Sequence, residues 1–218
     1  VAGVQLDAEN DIYVASRPPT YQGSTAHPIQ EFSPSGQPIG GFGQYGLGRG
    51  QLTFPANFAI DAQGDLYVAD CDLNKVVEFT RSGQVLAEWK DLGSYGTFDC
   101  PINVSVDAQG LVYVLDHRHD RIVKMAANGT VLAAYVFHFQ FPEGMTMDGS
   151  GNLWVADAGH QRIVKISQDG RVLATWEHFP GIPNQIAVDS HGFVHVTDND
   201  NALLIKYSPD GQVLSRWG

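Results

Sequence analysis

Four oxygen-bearing side chains stand just after prolines, and they are the first candidates for chemistry. Asn57 lies two positions beyond Pro55 and Asn103 two beyond Pro101, while Glu143 follows Pro142 and Asn184 follows Pro183. Amide and carboxylate oxygens suit a hard cation, calcium above all, although one charge among four donors implies low affinity. The plain alternative is that these groups satisfy backbone and bound water. A second group carries nitrogen. His119 and His160 occupy equivalent places 41 residues apart, with Arg118 and Arg162 beside them. A catalytic zinc needs three converging protein ligands, and no spacing here supplies three imidazoles. The ordinary role of such histidines is that of solvated loop residues. Arg17 opens a long polar segment that also holds Tyr21 and His27. No Ser-His-Asp order, phosphate-binding loop or paired-carboxylate motif stands out.

The elements that must position these residues repeat. Leu6-Asp7, Ile60-Asp61, Val106-Asp107, Met147-Asp148 and Val188-Asp189 recur at intervals of 54, 46, 41 and 41 residues. Such a period is that of propeller blades. After each aspartate comes Asn10, Gly64, Gly110, Gly151 or Gly192, residues that tolerate the left-handed backbone of a tight hairpin. A short alternating strand follows, then a polar loop at Asp70, Asp116, Asp157 and Asp198, with Ser16 in the first unit. A third strand turns on Gly36, Gly83, Gly129, Gly170 or Gly211, and a fourth ends on Phe42, Trp89, Tyr135, Trp176 or Trp217. Four short strands without helical periodicity make an antiparallel sheet, and such a sheet buries both faces only by stacking on its neighbours. The expectation is an all-β chain, a β-propeller of five four-stranded blades in a single domain over 1–218. Its blades cover approximately 1–43, 54–90, 100–136, 141–177 and 182–218. The glycine-rich run 40–52 is then a crossing between blades. In propellers, ligands sit at the mouth of the central channel, which the residues after the opening prolines would line.

Pro-x-strand-Asp, the Gly turn, Tyr-Val-x-Asp, and Arg121-Ile122-Val123 with Arg162-Ile163-Val164 resemble the NHL-repeat family along the whole chain. NHL propellers usually have six blades. The resemblance therefore leaves two options: closure with five, or membership of a longer propeller lacking a sixth. The stretch from Val1 to Arg17 also resembles the first blade of peptidyl-hydroxyglycine amidating lyases, which implies a catalytic role for Arg17. The zinc histidines of that family are replaced by Ala56, Ile102, Glu143 and Asn184, and its blade-three tyrosine by Arg118. Pro142-Glu143-Gly144 and Pro183-Asn184 are similar to segments of gluconolactonase-type lactonases, which implies a calcium site at Glu143 and Asn184.

A formal net charge of -11 disfavours phosphate backbones and hence nucleic acid. No apolar stretch approaches a membrane span. Cys71 and Cys100 fit no zinc motif; in this architecture they share a face in neighbouring blades. A disulfide, implying an extracellular or periplasmic compartment, and two free thiols both fit. Asn128-Gly129-Thr130 matches the glycosylation pattern, and its turn position explains it equally. The long Arg17–Pro28 loop, with Arg118, His119, His160 and Arg162 on the same face, would grip a partner. The first functional expectation is thus a non-catalytic interaction module for a protein or glycan, with no cofactor firmly implied. The alternative is a metal-assisted lyase or lactonase at the channel mouth, with calcium as its metal. Oligomeric state is not legible.

Overall fold

The structure is a computed structural model that describes residues 2–17 and 27–218. Its fold is the all-β propeller fold, with five consecutive four-stranded antiparallel blades among the described residues. Blade one comprises β1 (Gly3–Leu6), β2 (Ile12–Ala15), β3 (Ile29–Phe32) and β4 (Pro38–Phe42). Blade two comprises β5 (Pro55–Ile60), β6 (Leu66–Asp70), β7 (Lys75–Phe79) and β8 (Val85–Trp89). Blade three comprises β9 (Pro101–Val106), β10 (Val112–Asp116), β11 (Arg121–Met125) and β12 (Val131–Val136). Blade four comprises β13 (Pro142–Met147), β14 (Leu153–Asp157), β15 (Arg162–Ile166) and β16 (Val172–Trp176). Blade five comprises β17 (Pro183–Val188), β18 (Val194–Asp198), β19 (Leu203–Tyr207) and β20 (Val213–Trp217).

The chain divides into two compact units. The first, Val1–Arg118 with Val123–Ala134, holds blades one and two and most of blade three. The second, His119–Ile122 with Tyr135–Gly218, holds blades four and five and the remainder of blade three.

The recurrent hydrophobic-Asp pair closes the first hairpin of every blade. The Asp61 carboxylate accepts the N–H groups of Gln63 and Asp65, both at 2.9 Å, while Gly64 takes φ +85°. Asp7, Asp107, Asp148 and Asp189 do the same for the two matching N–H groups of their own turns. This is the local side chain-to-backbone bonding that makes aspartate a turn residue. The second carboxylate oxygen ties the turn to the next strand, accepting Trp154 Nε1–H at 3.0 Å on Asp148 and the Tyr113 hydroxyl at 3.1 Å on Asp107. Burial pushes the Asp148 carboxyl upward, but bonds from Asn152, Trp154 and Lys165 outweigh it and hold the group below the usual carboxylate range.

Alternation along the strands then builds the joints between blades. In the first unit, Tyr13, Ala15 and Ile29 of blade one meet Phe58, Leu66, Val68, Val77 and Phe79 of blade two. Tyr67, Ala69 and Val76 on the other side of blade two meet Val104, Val112, Val114 and Met125 of blade three. In the second unit, Trp154, Ala156 and Ile163 meet Val194, Val196, Ile205 and Tyr207. Arg81 adds an ionic clamp, with its guanidinium 2.8 Å from Asp7 and 3.0 Å from Glu9.

The aromatic that ends the fourth strand of blades one to four has a specific seat, the turn glycine Gly83, Gly129, Gly170 or Gly211. A Cβ built on Gly129 would overlap the Trp89 indole, and the residue has φ +83°. Gly110 has a similar φ of +76°, but its Cβ would meet nothing within 4 Å. The pair separates backbone strain from packing. Gly110→Ala should cost only the left-handed penalty, about 1 kcal/mol. Gly129→Ala should cost roughly 2–4 kcal/mol, because overpacking is added to that penalty. Urea unfolding of both variants reads the difference; equal losses would show that the indole simply moves aside.

Candidate functional site

In each of the two units, the ends of the second strands, the loops after them and the crossings into the next blade carry most of the candidate residues. Their framework is a set of buried carboxylates. Asp70 is completely buried at the end of β6. It accepts Thr53 N–H at 2.7 Å, Phe54 N–H at 3.2 Å, Leu73 N–H at 3.1 Å and the Thr53 hydroxyl at 3.2 Å. A single side chain thus fixes both the crossing into its blade and the loop leaving its second strand. Asp116 accepts Asp99 N–H at 2.7 Å, and Asp157 accepts Gln140 N–H at 2.8 Å. Asp198 holds Asn201 through its amide at 2.8 Å. In blade one Ser16 takes this position, and Tyr45 of the glycine-rich crossing donates to the Ser16 carbonyl at 2.8 Å.

These aspartates are braces, a role the polar-loop reading of the sequence missed. A signal was present: Thr53, Asp99 and Gln140, whose N–H groups they hold, each lie two residues before an opening proline. The braced loops carry short 3-10 turns at His117–His119 and Ala158–His160, and the second closes through Gln161 at φ +51°.

The two cysteines of this edge are joined: Cys71, after β6, forms a disulfide with Cys100, before β9. Asn74 Oδ1 accepts Cys100 N–H at 2.8 Å beside the bridge. The free-thiol alternative is therefore set aside.

Arg17 is exposed, with its guanidinium carbon 3.8 Å from the centre of the Phe54 ring, a stacked cation–π contact on a residue that Asp70 holds. Arg118 is exposed and reaches Asp99 at 3.4 Å. His119 ends its 3-10 turn and is exposed. His160 and Arg162 are brought together on one carboxylate, with Asp157 2.9 Å from His160 Nδ1 and 2.7 Å from Arg162 Nε. Arg162 also lies 3.8 Å from Glu177. Tyr21 lies outside the described residues.

The residues after the opening prolines sit deeper. Asn57 and Asn103 are buried, and Asn57 Oδ1 accepts Phe58 N–H at 2.8 Å. A Cβ on Gly3 would overlap the Asn57 amide, which explains a glycine at the matching position of blade one. Glu143 and Asn184 are half-buried on β13 and β17, adjacent first strands of the second unit. A Cβ on Gly144 would overlap the Asn184 carbonyl. Among the described residues, no group of three or more His, Cys, Asp or Glu side chains is arranged to hold a metal.

The family described as the SMP-30/Gluconolactonase/LRE-like region matches residues 101–184. No curated protein matches the chain. Among solved structures, virginiamycin B lyase from Staphylococcus aureus is similar with a TM-score of 0.73 at 14% identity, covering 99% of this chain and 69% of that one. A streptogramin B lyase is similar with a TM-score of 0.73 at 15% identity, covering 99% of this chain and 67% of that one. A nidogen/laminin complex contains a chain similar with a TM-score of 0.75 at 21% identity, covering 99% of this chain and 79% of that one. At these identities the likeness establishes the propeller fold, and function must come from the side chains.

Proposed function

We propose that this propeller is a non-catalytic interaction module whose binding surface is the braced edge around Arg17 and Arg118. The observation that carries the reading is the division of labour on that edge. Its carboxylates are buried as backbone braces, whereas the exposed Arg17 stacks on Phe54, whose N–H Asp70 holds, and the exposed Arg118 lies beside Asp99, whose N–H Asp116 holds. Exposed guanidinium groups on rigid loops suit carboxylate or sulfate groups of a protein or glycan partner. The Cys71–Cys100 bridge supports an extracellular or periplasmic setting. Among solved neighbours, the nidogen/laminin complex is an instance of this fold within a protein assembly.

The test uses two immobilised probes, a heparin-derived oligosaccharide and an oligoglutamate peptide. The chain should bind one of them in a salt-dependent way. Arg17→Ala with Arg118→Ala should weaken that binding roughly tenfold or more. Absence of binding to both probes, or binding unchanged by the double substitution, would sink the reading.

A lactonase-type enzyme is the second reading, and one observation favours it. The gluconolactonase-like match runs from Pro101 to Asn184, a span that contains Asn103, Glu143 and Asn184. Glu143 and Asn184 offer the oxygen donors that a calcium ion takes. With one charge between them, and Asn103 buried, they do not make a strong site by themselves, so no reaction step is assigned to them.

A further inference from the structure

Blades four and five leave a cavity of about 220 Å³ between them, lined also by the crossing that joins them. Every wall belongs to the second unit. The apolar walls are aromatic. The Tyr207 ring of β19 is centred 5.4 Å from that of Trp176 and 6.3 Å from that of Phe179. Glu177 and His178 of the crossing and Arg216 of β20 add exposed polar groups to the lining.

Two polar groups in this cavity lack a partner. Tyr207 is only 6% exposed, yet its hydroxyl makes no hydrogen bond among the described residues. Buried hydroxyls are ordinarily paired. Burial pushes this phenol up to about 12, and the nearby Arg216 guanidinium pulls the other way. Arg216 itself makes no ion pair or hydrogen bond among the described residues.

The matching joint of the first unit satisfies itself. There Phe79 holds the position of Tyr207, and Glu88 that of Arg216. Phe79 needs no polar partner. Glu88 has two, accepting Lys75 Nζ–H and Gly50 N–H, both at 2.8 Å. In blade five Leu203 replaces the lysine, the charge is reversed, and a hydroxyl is added. The carboxylate of the crossing, Glu177, lies 3.8 Å from Arg162 and does not pair with Arg216. Blades one, three and four carry Phe32, Met125 and Ile166 where blade five has Tyr207, so the hydroxyl is peculiar to this cavity.

We propose that this cavity binds a small aromatic carboxylate, its ring against Trp176 and Phe179 and its acid group on Arg216 and the Tyr207 hydroxyl. The space holds one ring and a short acid arm, being smaller than the roughly 300 Å³ of a site for a drug-sized molecule. A guanidinium presents paired N–H donors to a carboxylate, and a phenol O–H donates to the same group. Stacked and edge-on contacts hold the ring. A sugar acid of equal charge would press several hydroxyls on aromatic walls that cannot bond them. The site uses neither Arg17 nor Arg118, so it stands or falls separately from the binding edge.

Titration calorimetry of the 218-residue chain with phenylacetate tests this, beside neutral 2-phenylacetamide and the sugar acid glucuronate. Phenylacetate should bind with a Kd of about 1 mM or tighter. The amide and glucuronate should bind at least about tenfold more weakly. Arg216→Gln, at an exposed position, should weaken phenylacetate roughly tenfold or more. Tyr207→Phe, which installs the residue of blade two, should weaken it roughly threefold or more. No binding at about 10 mM phenylacetate would overturn the proposal. So would an affinity unchanged in either variant, equal affinity for the amide, or tighter binding of glucuronate, which would point to a sugar acid.

Discussion

Replacing Asp70 with alanine should destabilise the protein by about 4 kcal/mol, the largest loss expected from any single side chain discussed above. The carboxylate is fully buried and accepts four hydrogen bonds, three of them from backbone N–H groups of Thr53, Phe54 and Leu73. Alanine leaves those donors facing a void, and each buried unsatisfied donor costs roughly 1–3 kcal/mol. Some of the loss is recovered where water reaches the Leu73 side of the loop, which keeps the total below the simple sum. Asp70→Asn retains one acceptor oxygen but not the charge, and about half the loss is expected. Urea unfolding measures both variants. A loss of less than about 1 kcal/mol for the alanine variant would mean that the crossing is held by strand packing and not by this brace.

The Cys71–Cys100 bridge has the second large effect. It links the loop leaving the second strand of blade two to the crossing that opens blade three, with 29 residues separating the two cysteines. Closing a loop of that length removes conformational freedom from the unfolded chain, which corresponds to about 3–4 kcal/mol in the chain-entropy account. The double substitution to serine should therefore lower the unfolding free energy by about that amount and leave the strand content unchanged. Reduction of the native chain should reproduce the effect, with alkylation and intact mass confirming two released thiols. Cys100 lies at φ +55° with its N–H on Asn74, so the local backbone has a second anchor. If the serine variant loses less than about 1 kcal/mol, that anchor alone organises the crossing.

These two effects also show what the sequence disclosed. The five hydrophobic-Asp pairs and their turn glycines reported the blades directly, because an aspartate that caps its own hairpin and a glycine at positive φ are local requirements. The aromatic that ends each fourth strand was visible as a pattern. Its partner glycine in the next blade was visible too, but the contact joining them lies between blades and no local rule reveals it. From sequence, Asp70, Asp116 and Asp157 are loop openers, because polar residues between strands usually face water. In the structure, crossing backbone from an earlier part of the chain turns back over them, and a non-local hydrogen bond decides their burial. For the same reason, His160 and Arg162 looked like free loop residues, whereas both lean on Asp157. Asn57 was legible as a residue following a proline, but its burial against Gly3 of the neighbouring blade was not.

Binding and catalysis make opposite demands on the same few residues. A binding edge needs exposed groups held in place, and Arg17 leans on Phe54 while Arg118 leans on Asp99. A calcium-assisted hydrolase needs oxygen donors that converge on a reacting carbonyl, with Glu143 as their charge. The most direct measurement is hydrolysis of a sugar δ-lactone by the full chain in saturating calcium, compared with the Glu143→Gln variant. Rates indistinguishable from the uncatalysed reaction are expected for both proteins. Calcium-dependent turnover that disappears in Glu143→Gln would overturn the interaction-module reading and establish a calcium-assisted enzyme in its place.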